Sequence, residues 1–201
     1  MIKDFLIISC TGQNDLIALK INNKFFLKKL QTNIIKYEAL SIVILDFIKK
    51  HKVKIDQKFS IIVNLGPGSF SGIRIALAAA KGIQLVKKLN LYGYNDFILN
   101  AAPYLKNNNI VSIIKTNNFY YFSERKIGKN YNFASPKKLE FSNLKKKNCL
   151  IVISKEIKDD NFINYADNKK VFISKFNLKN VDILIENNLL ENKLIKPLYL
   201  S

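Results

Sequence analysis

The run Gly66-Pro67-Gly68-Ser69-Phe70-Ser71-Gly72-Ile73-Arg74 is the part of this chain whose residue types and spacing could do chemistry. A continuous apolar segment, Phe59 to Leu65, leads into it, and a helical pattern from about Ser71 to Leu89 leads out. A strand, a glycine-bearing turn and a helix N-terminus together suit an anion. Glycine accepts backbone angles that a side chain forbids, and Pro67 stiffens the turn by fixing its own φ. Ser69 is placed to cap the helix by accepting from a free backbone N–H. The first-turn amides then point outward, where the helix dipole favours negative charge. Arg74 stands at the unfavourable end of that dipole and calls for an anion beside it. That anion is either a ligand's phosphate or carboxylate, or a carboxylate of the same chain such as Glu38 or Asp46. Gly66, Gly68, Ser69, Ser71 and Arg74 are therefore the candidate anion-binding residues.

The loop is not a Walker P-loop, because no Gly-Lys-Ser/Thr ending follows, and its glycines at 66, 68 and 72 do not fit Gly-x-Gly-x-x-Gly. The chain has one histidine, His51, inside Lys49-Lys50-His51-Lys52. A single histidine provides no metal pair, and this one is a poor base for a serine or cysteine nucleophile. No metal and no cofactor are expected, and no catalytic residue is assigned. Cys10 and Cys149 lie far apart in sequence, as expected of a reduced, cytoplasmic protein. The apolar run Phe5 to Ile8 is too short for a signal-peptide core or a membrane span, and no membrane association is expected.

Lysine plus arginine number 33 and aspartate plus glutamate 15, a net charge of +18. Two readings stand: a polyanion partner such as tRNA, or a compositional bias, since the lysines run from Lys3 to Lys196 amid surplus Asn and Ile. The densest runs, Lys49 to Lys52 and Lys145 to Lys147, read as solvated ends of elements. Neither has the interleaved aromatics of a stacking platform for single strands.

The elements that position the loop are legible from periodicity. Phe5 to Ser9, Leu16 to Ile21 and Lys24 to Leu30 read as an antiparallel meander, with Asn22-Asn23 as its tight turn. Asn33 to Lys50 reads as a helix whose apolar residues cover more than one face, more than one sheet requires. Either the helix is central in its own domain, or its second side meets another helix or chain. The helix after the loop mixes Ile73, Ile75, Leu77, Ile83 and Leu85 with Gly72, Ala76, Ala78, Ala79, Ala80 and Gly82, so a neighbouring backbone can approach it closely. Leu91 to Tyr94 is a further strand, and the whole predicts a ribonuclease-H-like α/β layer. Further on, Phe97 to Leu105 is a short helix broken at Pro103. Ile110 to Ile114, Tyr120 to Ser123, Leu150 to Ser154 and Val171 to Ser174 are strands. Lys137 to Lys147 and Val181 to Asn192 are helical. Two lobes, 1–95 and 96–201, are expected to meet near Asn95.

The run Gly66 to Ile75 closely resembles the signature of the TsaB family, formerly called YeaZ. The family form ends Thr-Gly-Leu-Arg-Ile-Gly, and Ser71, Ile73 and Ala76 are conservative replacements. The terminal Lys196-Pro197-Leu198-Tyr199-Leu200 looks like the family's Pro-x-Tyr-Leu ending, and Thr11 with Leu16 to Leu19 resembles its first hairpin. The resemblance is strongest over about the first hundred residues. It implies two ribonuclease-H-like lobes of the actin-like ATPase superfamily, the second reduced. It also implies a non-catalytic subunit that dimerises with the catalytic paralogue TsaD and acts with the ATPase TsaE. That assembly makes N6-threonylcarbamoyladenosine at position 37 of tRNA from an adenylate supplied by TsaC. The partner face would be built from Ile34, Ile35, Ala39, Ile42 and Val43 on the first helix and Ile73, Leu77 and Ala80 on the second. Without TsaD the same face would serve a homodimer.

Two places depart from the family. Its aspartate at the end of the first strand is replaced by Ser9 or Cys10. Its Asp-Ala-Arg in the second lobe is replaced by Lys115-Thr116-Asn117, ahead of Tyr120 and Tyr121. Both losses weaken a bound metal or nucleotide and suit a scaffold. Two other readings remain: a catalytic acyltransferase of the same superfamily, against which the missing His-x-x-x-His pair counts, and a stand-alone basic RNA-binding module.

Overall fold

The computed structural model describes residues 2–12, 15–30, 39–107, 109–116, 119–125, 133–140, 149–154, 157, 171–174, 176–192 and 195–200. The chain divides into two compact units, Met1–Asn95 with Leu190–Tyr199, and Asp96–Leu189 with Leu200–Ser201.

The first unit begins with β1 (Phe5–Ser9), β2 (Leu16–Ile21) and β3 (Lys24–Lys29), each antiparallel to the next. Asn22 and Asn23 turn the second hairpin with φ of 47° and 64°, the left-handed pair such a turn needs. The chain then forms α1 (Leu40–Lys50), β4 (Ser60–Asn64), α2 (Phe70–Lys87) and β5 (Asn90–Tyr94). β4 lies parallel to β1, and β5 lies parallel to β4, for a sheet order of β3-β2-β1-β4-β5. β1 and β4 are buried along their whole length, so they read as unbroken apolar runs rather than alternating ones. Both helices pack on one core with Leu6, Ile8, Ile61 and Val63. α1 contributes Leu40, Ile44, Phe47 and Ile48, and α2 contributes Ala76, Leu77 and Ala80, each set at helical spacing.

The second unit repeats the plan. After α3 (Asp96–Ala101) and a 3-10 turn containing Pro103 come β6 (Ile110–Thr116) and β7 (Phe119–Arg125) as an antiparallel pair. β8 (Lys137–Lys138) adds to β7, while β9 (Leu150–Ser154) and β10 (Val171–Ser174) join in parallel on the far side of β6. The order β8-β7-β6-β9-β10 matches that of the first sheet, with β8 cut to two residues. The ribonuclease-H-like lobe therefore occurs twice. α4 (Leu178–Glu186) closes the unit, its N-terminus capped by the Asn177 side chain, which accepts from the Lys179 amide at 2.9 Å.

Two expectations are corrected here. Lys137 and Lys138 are strand, paired with Phe122 and Tyr121, whereas a helix was expected from Lys137; residues 141–148 lie outside the described residues. Leu190–Tyr199 belongs to the first unit. Gly93 and Glu191 exchange two backbone hydrogen bonds of 2.8 Å, and the Leu198 amide donates to the Leu65 carbonyl at 2.8 Å. Backbone ladders of this kind leave no mark on side-chain periodicity. Among the described residues, no helix is long and apolar enough to cross a membrane.

Candidate functional site

The glycine loop sits where β4 hands over to α2. Asn64, the last residue of β4, is buried, and its two amide ends are both used. Its Nδ2 donates to Ser9 Oγ at 3.1 Å, and its Oδ1 accepts from the Gly66 amide at 2.9 Å. This side chain ties the ends of two parallel strands to the start of the loop. Ser9 thus stands at the end of β1. Gly66 has φ of +101°, a region closed to most side chains, and the Gly66–Pro67 peptide is cis.

The loop lies directly on the β1–β2 turn. The Ser69 amide donates to the Thr11 carbonyl at 2.7 Å. A β-carbon at Gly68 would overlap the Thr11 carbonyl oxygen, and one at Gly72 would overlap that of Cys10. The glycines are therefore required so that two backbone segments can touch. Ser69 caps α2 as expected, with Oγ accepting from the Gly72 amide at 3.2 Å.

Among the candidate anion residues, Gly66 is buried, Ser69 is half-buried, and Gly68, Ser71 and Arg74 reach the surface. The Arg74 guanidinium lies 5.0 Å from the centroid of Phe70, and Phe70 stacks on Tyr199 with centroids 5.1 Å apart. A ring therefore supports the cation. Among the described residues Asp46 does not pair with it, and Glu38 lies outside them.

Beside the loop, Cys10 is buried, and that desolvation, with Asp15 nearby, pushes its thiol up to about 12. It is a neutral packing residue rather than a nucleophile. Desolvation also raises Asp15, while the Gly12 amide, donating at 2.7 Å, pulls it back down. The ring of His51 is held between Phe26 and Phe47, with centroids at 4.2 and 4.8 Å. Lys115 and Thr116 end β6, and Asn117 lies outside the described residues. Among the described residues, no group of three or more His, Cys, Asp or Glu could hold a metal ion.

The expected partner face needs revision. Ile73, Leu77 and Ala80 are buried in the first unit's own core. With Ala76 they occupy positions i, i+4, i+7 and i+3, which is the stripe α2 presents to the sheet. Ala39 and Val43 are half-buried, and Ile34 and Ile35 lie outside the described residues. The exposed large apolar residues of the two helices are Ile42 (61%) and Leu45 (57%) on α1, and Phe70 (55%) at the start and Leu85 (77%) and Val86 (78%) near the end of α2. In the sequence Arg74 and Lys81, seven residues apart, mark one outer side of α2, but the apolar and small residues around the rest of the helix do not say that Val86 is exposed. On α1, the i, i+3 spacing of Ile42 and Leu45 would have found the outer face once Ile44, Phe47 and Ile48 were assigned to the core.

No family model matches the chain. The tRNA threonylcarbamoyladenosine biosynthesis protein TsaB of Buchnera aphidicola subsp. Baizongia pistaciae is 40% identical over 67 residues, 33% of this chain and 30% of that protein. YeaZ from Pseudomonas aeruginosa superposes with a TM-score of 0.66 at 14% identity, covering 98% of this chain and 99% of that one. A Pseudomonas aeruginosa protein described as similar to peptidase YEAZ superposes with a TM-score of 0.65 at 13% identity, covering 99% of this chain and 100% of its own. At such identity these two establish the fold. The chain thus resembles the TsaB (YeaZ) family in sequence over one segment and in fold over nearly its whole length.

Proposed function

We propose that this chain is a non-catalytic subunit that pairs with a TsaD-like paralogue and supports N6-threonylcarbamoylation of adenosine 37 in tRNA, together with a TsaE-like ATPase. The observation that carries this reading is the apolar outer side of the neighbouring helices α1 and α2, with Ile42, Leu45, Leu85 and Val86 all more than half exposed. Burying one such side chain is worth about 1.5–3 kcal/mol, so four of them exposed on two neighbouring helices favour a protein partner. The loop contributes rigidity, since the Gly66 and Gly72 amides, the serine cap and Asn64 bond within the chain and Gly68 packs on Thr11, fixing the start of α2. The absence of a second histidine from the sequence supports a scaffold over an acyltransferase.

The test is co-expression with the TsaD paralogue of the same organism, followed by size-exclusion chromatography. A one-to-one complex lost in Ile42→Glu and Leu85→Glu is expected. Unchanged co-elution of both variants would move the interface elsewhere, and no complex with the unaltered chain would end the reading.

A further inference from the structure

β3 is the outer strand of the first sheet and pairs only with β2 among the described residues. Residues of a strand alternate between faces. Phe25 stands opposite Lys20, whose Nζ lies 5.3 Å from its ring, so Lys24, Phe26 and Lys28 take the other face, the one toward α1. There the Phe26 ring tilts over the His51 imidazole at 4.2 Å, and Phe47 meets the same imidazole edge-on at 4.8 Å. Between this edge of the sheet and the end of α1 runs an open groove of about 550 Å³. Lys28 and Lys50 line it together with the rings, and among the described residues Asp46 is its one lining carboxylate. Lys24, Lys49 and Lys52 are exposed nearby in sequence.

We infer that this groove binds unpaired nucleotides of an RNA. Lysines by themselves attract any polyanion, duplex or single-stranded, in a salt-dependent way. Aromatic faces add what a duplex cannot use, because its bases are already stacked and paired, whereas an unpaired base can lay its face on a ring. Here cations and rings share one concave surface. An acidic peptide added as a strand is the competing occupant. Exposed Lys24, Lys28 and Lys29 along an outer strand oppose such pairing, as edge lysines do, and strand addition would make no use of the Phe26–His51 pair.

The test is fluorescence anisotropy on the full chain with labelled oligoadenylate, an RNA duplex of equal length, and an oligoglutamate peptide. Oligoadenylate is expected to bind more tightly than either competitor. Phe26→Leu keeps an apolar side chain on the core but removes the ring, and His51→Ala removes its stacking partner. Each should weaken oligoadenylate binding about tenfold, the loss of roughly one stacked base, and leave duplex binding unchanged. Lys28→Glu with Lys50→Glu, both exposed, should weaken both RNAs and flatten the salt dependence. If either ring variant loses its melting transition, the lysine pair and the single-strand preference of the unaltered chain decide. Equal affinity for duplex and single strand, ring variants that bind as before, preference for the peptide, or no RNA binding would each overturn the assignment. Binding is read on the free protein, so a failure here leaves the paired assembly standing, and failure of that assembly leaves this contact standing.

Discussion

The α-carbon of Gly68 faces the carbonyl oxygen of Thr11 so closely that no β-carbon fits between them. Gly72 stands in the same relation to Cys10, whereas the corresponding position at Gly82, on the same helix as Gly72, opens to empty space. Gly68→Ala and Gly72→Ala should therefore each destabilise the protein by about 3 kcal/mol, the upper range for overpacking. Gly82→Ala should stabilise it by about 1 kcal/mol through helix propensity. Urea unfolding of the three variants checks the contrast, and equal effects at all three positions would refute the loop-on-turn contact.

Asn64 satisfies Ser9 and the Gly66 amide from a buried position. Asn64→Ala strands both groups, and a loss of about 2 kcal/mol is expected. Faster hydrogen exchange at the Gly66 amide would localise the damage to the loop. An unchanged unfolding midpoint would mean that the pair contributes nothing.

The outer and inner sides of the helix pair should separate cleanly under charge substitution. Leu45→Glu and Val86→Glu alter exposed positions and should keep stability within about 0.5 kcal/mol while abolishing the paralogue complex. Leu77→Glu places an unpaired charge in the core and should cost on the order of 4 kcal/mol, often the whole fold. Thermal melting of each free variant distinguishes a lost interface from a lost fold.

Cys10 predicts an alkaline signature. Its thiol is raised from 9.0 to about 12 in the folded chain. Between those values the unfolded chain releases a proton that the folded chain keeps, so the folded state binds more protons and stability falls as pH rises. The slope approaches about 1.4 kcal/mol per pH unit from this group. Cys10→Ala should remove that part of the slope when both proteins are unfolded at a series of pH values. Thiol titration of the native protein should label half-exposed Cys149 first and Cys10 only on unfolding.

What periodicity and turn chemistry dictate was legible in the chain itself. The strands β1 to β4, the Asn22-Asn23 turn and the Ser69 cap all depend on neighbours within a few residues, and each lies where those rules place it. The glycine loop was found by the same means, but its purpose was not. Glycine spacing signals a backbone that must be approached, without saying whether a ligand or another stretch of the chain approaches it.

Three features were decided by tertiary structure. On α2, Arg74 and Lys81 mark one outer side in the sequence, but apolar or small residues cover the rest, so packing on the sheet selects Ile73, Ala76, Leu77 and Ala80 as inner and leaves Val86 outside. Leu190–Tyr199 returns to the first unit through main-chain hydrogen bonds, which every residue can make and no residue type announces. The run at 49–52 has Phe47 as its aromatic neighbour along the chain, and it acquires Phe26 as well only because β3 folds against the end of α1. Local sequence sets the angles and faces of single elements, whereas meetings between distant elements follow from burial of the whole core, a sum over residues that no short window contains.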